Sequence, residues 1–293
     1  MANQMFMGIP TSHMQWVPCP SIESGITRKR YVERIQFQNG GGDVARSPQY
    51  QVEYNLTMSG PAHEVEGIDA INRFASGLYG DGYIYVAHPA LFESNMFSAV
   101  WSSPGLIEQG WKNIYPTTTP IFSNTAPNSY AQPQRSATWD VTSAVNTPVS
   151  KFTIPIPPGY TLNLGASGTA TGTAVVQVRT IAVDNDTTAT SNLTLLNPTA
   201  STRMNATFSG STYCAVDVYI TRTSTASSTI TLASLMAQLY KTSATPALPT
   251  SHIMGQGASG MAFADDAIVE NYSYMYPPRK GISTILVEVE AWR

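Results

Sequence analysis

Charge is what this sequence has least of. Asp, Glu, Lys and Arg make up 12% of its 293 residues, about half the usual share. The balance of 16 Lys+Arg against 19 Asp+Glu leaves a net charge of -3. That provides no basic field for a phosphate backbone and argues against a nucleic-acid binder. Cysteine is nearly missing too. Cys19 and Cys214 form neither a disulfide framework nor a zinc spacing, and read as two buried free thiols. No run approaches the ~18 apolar residues of a membrane span. The N-terminus lacks a basic segment followed by an apolar stretch, so no secretory signal is expected. Catalytic signatures are missing as well. His13, His63, His88 and His252 are scattered, and no G-x-S-x-G, H-E-x-x-H or Walker-type loop occurs. Gly40-Gly41-Gly42 leads into no helix, so it reads as a turn. Asp184-Asn185-Asp186 has oxygens a Ca²⁺ ion could use, but a β-turn needs the same residues. Asp265-Asp266 is no more specific, and no carboxylate pair stands out as a glycosidase would require. The expectation is a chain that is not an enzyme and uses no cofactor or metal.

Hydrophobic content is 42%, enough for sizeable cores. The surface must then rest on Ser, Thr, Asn and Gln, which suits a part packed into a larger assembly. A length of 293 residues suggests two domains at roughly 100–200 residues each. From about residue 136 to 250 the sequence contains no Glu and no His. Strand candidates follow one another there at 151–156, 161–164, 174–183, 191–196, 203–209, 214–222 and 229–240, punctuated by Gly, Asn and Pro. Many strands, regular turns and no helix predict a β-sandwich. The alternation of Val216, Val218 and Ile220 argues against Thr-rich disorder.

The N-terminal third differs. Residues 1–20 read as an extended arm with apolar anchors Met5, Phe6, Met7, Trp16 and Val17. Residues 31–37 and 49–58 alternate as strands, the second with Tyr50, Val52, Tyr54, Leu56 and Met58 on one face. Val65, Ile68, Ile71, Phe74 and Ala75 share a helical face, with Gly77 at the C-cap position. Residues 112–134 read as a linker or excursion, and 248–260, with three glycines, as the return linker. Glu and Tyr reappear after residue 250. The stretch 281–293 reads as one long strand, with Ile285, Val287, Val289 and Ala291 expected to be the buried face. The predicted organisation is a discontinuous domain of 1–135 and 246–293 with a sandwich, 136–245, inserted. Excising the insert is then expected to leave a folded remainder.

The Tyr/Val-rich strands, the single amphipathic helix, Gly80-Asp81-Gly82-Tyr83-Ile84-Tyr85 and the terminal Ile285-Leu286-Val287-Glu288-Val289-Glu290-Ala291-Trp292-Arg293 resemble the minor tail proteins of long-tailed actinobacterial phages. These are similar in organisation to siphophage distal tail proteins. The resemblance implies a mainly β fold: a tail-tube-like β-barrel with one helix, plus a galectin-like or carbohydrate-module-like β-sandwich. It further implies a homo-hexameric ring at the virion tail tip, assembled in the host cytoplasm. Its partners would be tail tube protein on one side and tail hub or baseplate proteins on the other. DNA is expected only as passing cargo, and no membrane is expected. The sandwich departs from the family by lying inside the barrel sequence.

Within that expectation, the basic run Arg28, Lys29 and Arg30 and the strand residues Glu288, Glu290 and Trp292 are the candidate subunit contacts. Two other readings stand beside it. The sandwich could be a host-recognition lectin for cell-wall glycan, with Trp139, Tyr160, Tyr213 or Tyr240 stacking on sugar. A jelly-roll capsid or spike protein would share the composition.

Overall fold

The structure, a computed structural model, describes residues 4–18, 25–29, 32–38, 40–46, 51–59, 66–103, 121–124, 135–141, 150–182, 187–193, 203–244, 247, 252–264, 269–273 and 279–289. The chain is mainly β. The first strands are β1 (Gln4–Ile9), β2 (His13–Pro18), β3 (Ile26–Lys29), β4 (Val32–Gln36), β5 (Gly42–Arg46), β6 (Gln51–Ser59) and β7 (Tyr85–Ala87). Helix α1 (Glu66–Ala75) lies before β7 and a short helix α2 (Ala99–Ser102) after it. Then come β8 (Ile121–Ser123), β9 (Ser136–Asp140), β10 (Ser150–Pro155), β11 (Tyr160–Thr171), β12 (Ala174–Ala182) and β13 (Thr187–Leu193). The remaining strands are β14 (Met204–Ser209), β15 (Tyr213–Arg222), β16 (Thr229–Lys241), β17 (Met261–Phe263), β18 (Val269–Ser273) and β19 (Arg279–Glu288).

The sandwich pairs a sheet β10-β15-β12-β13 with a sheet β14-β11-β16-β9-β8, and every pairing is antiparallel. Each of the seven strands expected between 151 and 240 has a counterpart, although the one expected at 191–196 is β13, Thr187–Leu193, and residues 194–196 lie outside the described residues. Inward side chains alternate along them: Leu162, Leu164 and Ala166 on β11, and Val216, Val218 and Ile220 on β15. Between them Asp217 is also buried. It accepts a hydrogen bond from Thr153 Oγ1 at 2.6 Å, with Lys151 Nζ at 3.9 Å. The sheet reaches back to β8, inside the stretch that read as an excursion, because Ile121 to Ser123 continue the ladder of β9.

Two further sheets carry the N-terminal third: β2-β1-β7, and β17-β19-β6-β3 with β18 also on β19. Ile84 and Met261 exchange both backbone hydrogen bonds at 2.8 Å, which joins the two sheets into one path. That path is open. Its ends are β2 and β3, and no closed barrel forms among the described strands. Helix α1 packs Ile68, Ile71 and Phe74 into one core with Met58, Val86, Met261 and Leu286. Ala75, expected on that face, is exposed. Gly77 ends the helix at φ +69, where only glycine sits without strain, and Leu78 N–H closes the turn on Arg73 O.

The sequence placed β19 the wrong way round. Register sets Ile282, Thr284 and Leu286 opposite Met58, Leu56 and Tyr54, and directly opposed residues share a face. The core side of β6 therefore fixes the core side of β19. Ile282, Thr284, Leu286 and Glu288 are buried, while Ile285 is 36% exposed and Val287 and Val289 are half-buried.

The expected N-terminal arm is instead a hairpin that forms a wall between two cores. Met5 and Met7 of β1 face the helix side, while Phe6 faces the sandwich. β7 divides likewise, with Val86 on one side and Ala87 on the other. After β7 the stretch 89–103 packs Leu91, Phe92, Phe97, Val100 and Trp101 onto the sandwich core. Ser98 caps α2, its side chain accepting from Trp101 N–H.

Candidate functional site

The second wall of the junction is built from backbone. β16 pairs with β9 over Thr229–Leu232. Farther along, its edge passes to the incoming chain: Met96 N–H donates to Ala237 O and Leu239 N–H to Phe92 O, both at 2.8 Å. Asn95, 0% exposed, holds this exchange. Its Nδ2 donates to Leu235 O at 2.9 Å and to Ile253 O at 2.8 Å, and its Oδ1 accepts from Ala237 N–H and Phe97 N–H. Every hydrogen-bonding site of the amide is thus used.

Residues 252–260 are not the free linker their glycines suggested. Gln256 N–H donates to Asn95 O and Gly257 N–H to Phe97 O. A Cβ on Gly257 would collide with Met96 O, and one on Gly255 with Phe97 O and Ser98 O. The glycines permit two backbones to touch. The strip then reaches Glu288, which is 1% exposed. Its carboxylate accepts from Ser259 N–H at 2.8 Å, Ser259 Oγ at 2.9 Å and Val52 N–H at 3.2 Å.

This corrects one candidate contact: Glu288 is an internal clamp and cannot meet a neighbouring subunit. Arg28 and Lys29 are exposed on β3, the last strand of its sheet path. Arg28 donates to Gln256 O at 2.9 Å, and Lys29 pairs with Glu53 at 2.6 Å. Arg30, Glu290 and Trp292 lie outside the described residues, as do Cys19 and His63. A cleft of about 220 Å³ lies between Arg28, Ser98, Met254, Gln256 and Glu288. Near it Tyr54 is fully buried with no hydrogen-bond partner for its hydroxyl, and burial raises its pKa.

The four candidate stacking aromatics separate. Trp139, 1% exposed, belongs to the sandwich core and offers no ring face to a ligand. Tyr213 lies edge-on to Phe208. Tyr160 and Tyr240 both line a larger cleft of about 610 Å³, together with Phe92, Glu93, Leu239 and Lys241.

Reactive groups are sparse. Ser103 Oγ and His252 Nε2 lie 2.8 Å apart, but Ser103 is buried and His252 Nδ1 has no hydrogen-bond partner. Among the described residues, no carboxylate orients the imidazole as a nucleophile–base pair requires. Burial, then the charge of Arg203, pushes the His252 pKa down to about 4. Among the described residues, no group of three or more His, Cys, Asp or Glu side chains could hold a metal.

The hairpin β4–β5 forms a two-stranded sheet of its own. Every residue whose side chain is described there is exposed on either face, including Ile35 at 46%, Phe37 at 50% and Val44 at 42%. Its composition gave no hint of this, since a buried strand alternates in the same way.

No family model matches the chain, and no curated protein does. Among solved structures, the enzymatically active domain of bacteriophage CBA120 tailspike protein 4 is similar at 18% identity and TM-score 0.33, over 50% of this chain and 21% of that one. The CBM22-1 xylan-binding domain of Paenibacillus barcinonensis Xyn10C is similar at 12% identity and TM-score 0.29, over 43% of this chain and 81% of that one. The SPP1 Dit protein is similar at 12% identity and TM-score 0.20, over 80% of this chain and 99% of that one. Scores this low place the chain in no family.

Proposed function

We propose that this chain is a structural subunit of a phage tail. In its finer form it is a distal (minor) tail protein, six copies of which form a ring joining the tail tube to the tip or baseplate. The observation that carries the proposal is the hairpin β4–β5. A lone two-stranded hairpin is marginal in water, and this one exposes apolar side chains on either face. Such an element gains its stability by docking on another subunit. Just before it in sequence, the edge strand β3 carries Arg28 and Lys29, where charge can set the register of a neighbour. In this reading residues 1–135 and 246–293 form the ring and 136–245 the sandwich attached to it. The two are joined through Asn95, which bonds Leu235 and Ala237 of the sandwich, while Glu288 ties Val52 to Ser259 within the ring part. DNA passes through without being held, because the chain carries an acidic net charge.

The test is cryo-microscopy of the intact particle, locating the chain by its fold. A single symmetric ring at the tail end, with β4–β5 seated on the adjacent copy, supports the proposal. A position on the capsid or on a fibre contacting the host overturns it.

A further inference from the structure

We propose that the cleft lined by Tyr160, Tyr240, Phe92, Glu93 and Lys241 binds a neutral oligosaccharide. This does not depend on the tail reading, since any exposed copy of the chain would carry the site. The cleft opens where β16 ends beside the start of β11, beyond the reach of β9. Tyr240 is opposite Thr161 and Tyr160 opposite Lys241, so the two rings leave opposite faces of the sheet and flank the strand end. Both rings are half-buried. They are also held. Tyr240 Oη donates to Gln238 Oε1, and Gln238 Nε2 donates to Glu93 O at 2.6 Å. Gln238 is 1% exposed, so its hydrogen bonds anchor the ring and the facing loop. Tyr160 is wedged by Phe92, edge-on at 4.8 Å, and by Trp16 at 6.1 Å.

Fixed aromatic rings with open area bind without the entropy cost of ordering them. Their faces suit the C–H surface of a sugar ring, and their hydroxyls suit its polar rim. The two ions at the rim, Glu93 and Lys241, are exposed and of opposite sign, so they cancel toward a charged ligand yet can each bond hydroxyls. A volume of about 610 Å³ fits a few sugar rings. The chemistry selects a polyhydroxylated, uncharged ligand with an apolar face. Gln238 would be a positioning residue that never touches it.

The test is isothermal titration of the full chain with three probes: the N-acetylglucosamine hexamer, xylohexaose and cellohexaose. We expect at least one to bind with Kd below about 1 mM. Tyr240→Ala and Lys241→Ala should each weaken that binding, Tyr240→Ala by about tenfold, with folding confirmed by an unchanged melting transition. Gln238→Leu should weaken it less, and Trp139→Phe not at all. If none of the probes binds at about 10 mM, or if binding survives both Tyr240→Ala and Tyr160→Ala, the proposal is wrong. If Tyr240→Ala does not fold, loss of binding in the exposed Lys241→Ala variant supports the site and retention overturns it.

Discussion

Replacing Glu288 by Gln isolates the charge of the internal clamp while keeping its size. The carboxylate accepts three hydrogen bonds and is 1% exposed. The amide keeps one acceptor oxygen, which can still serve Ser259. Its NH₂ group then faces Val52 N–H, a donor against a donor. Two charge-assisted bonds become ordinary ones, each weakened by about 1 kcal/mol, and one buried donor is stranded at about 1–3 kcal/mol. The expected loss is therefore about 3–5 kcal/mol. Urea unfolding at neutral pH, followed by circular dichroism, measures it as a lower midpoint with unchanged slope. Ile285→Thr, on the exposed side of β19, should cost less than about 1 kcal/mol in the same assay. The reasoning fails if Glu288→Gln stays within about 0.5 kcal/mol of the parent, or if Ile285→Thr proves the more damaging.

Four other outcomes follow from the same contacts. Asn95→Asp removes both side-chain donors and aims a carboxylate at Leu235 O and Ile253 O, so it should cost about 3–5 kcal/mol by denaturant melt. Tyr54→Phe deletes a buried hydroxyl that has no partner; its stability should be equal to the parent's or higher, and a loss above about 1 kcal/mol would contradict that. His252 has its pKa lowered to about 4, so the unfolded chain binds its proton first as pH falls. Its contribution is full above about 6.5 and declines between there and 4; comparing Tm against pH with His252→Asn should show the variant flatter in that window, and parallel curves would refute it. Excising residues 140–243 behind a short Gly/Ser bridge should give an insoluble or molten product, contrary to the sequence-based expectation, because Phe6, Phe92, Phe97 and Trp101 lose their cover; a cooperative melt of that protein would show the wall to be self-sufficient.

The sandwich strands were legible because period-2 alternation in 151–240 is bounded by turn residues, but their order was not, since β10 pairs with β15 and β11 with β16 across most of the domain. The helix was legible for the same local reason. The junction was not. Nothing in Gly255 and Gly257 distinguishes a loose linker from a close backbone crossing; the difference lies in Met96 and Phe97, more than 150 residues earlier. The faces of β19 were ambiguous because both carry apolar residues, and the decision came from its register with β6. A glutamate on a strand suggests solvent, and only the donors of Ser259 and Val52 make its burial tolerable. Of the site residues, Tyr160 and Tyr240 were singled out as aromatics, but Gln238, which fixes one of them, carries no signal of its own.

The pairing of β6 with β19 also has a consequence in time. On the ribosome, β6 emerges while its partner is still some 220 residues from being made. At synthesis rates of about 5–20 residues per second, that is a wait of roughly 10–45 seconds. For that interval the apolar face of β6, with Tyr54, Leu56 and Met58, lacks the strand that completes its core. Meanwhile the sandwich, whose strands are made close together, can form first. The N-terminal hairpin would then dock on it through Phe6 and hold β6 near the growing chain until β19 arrives. The nascent chain thus has a built-in reason to need a holding factor, and a slow codon stretch placed before β19 would lower its yield without changing a single residue.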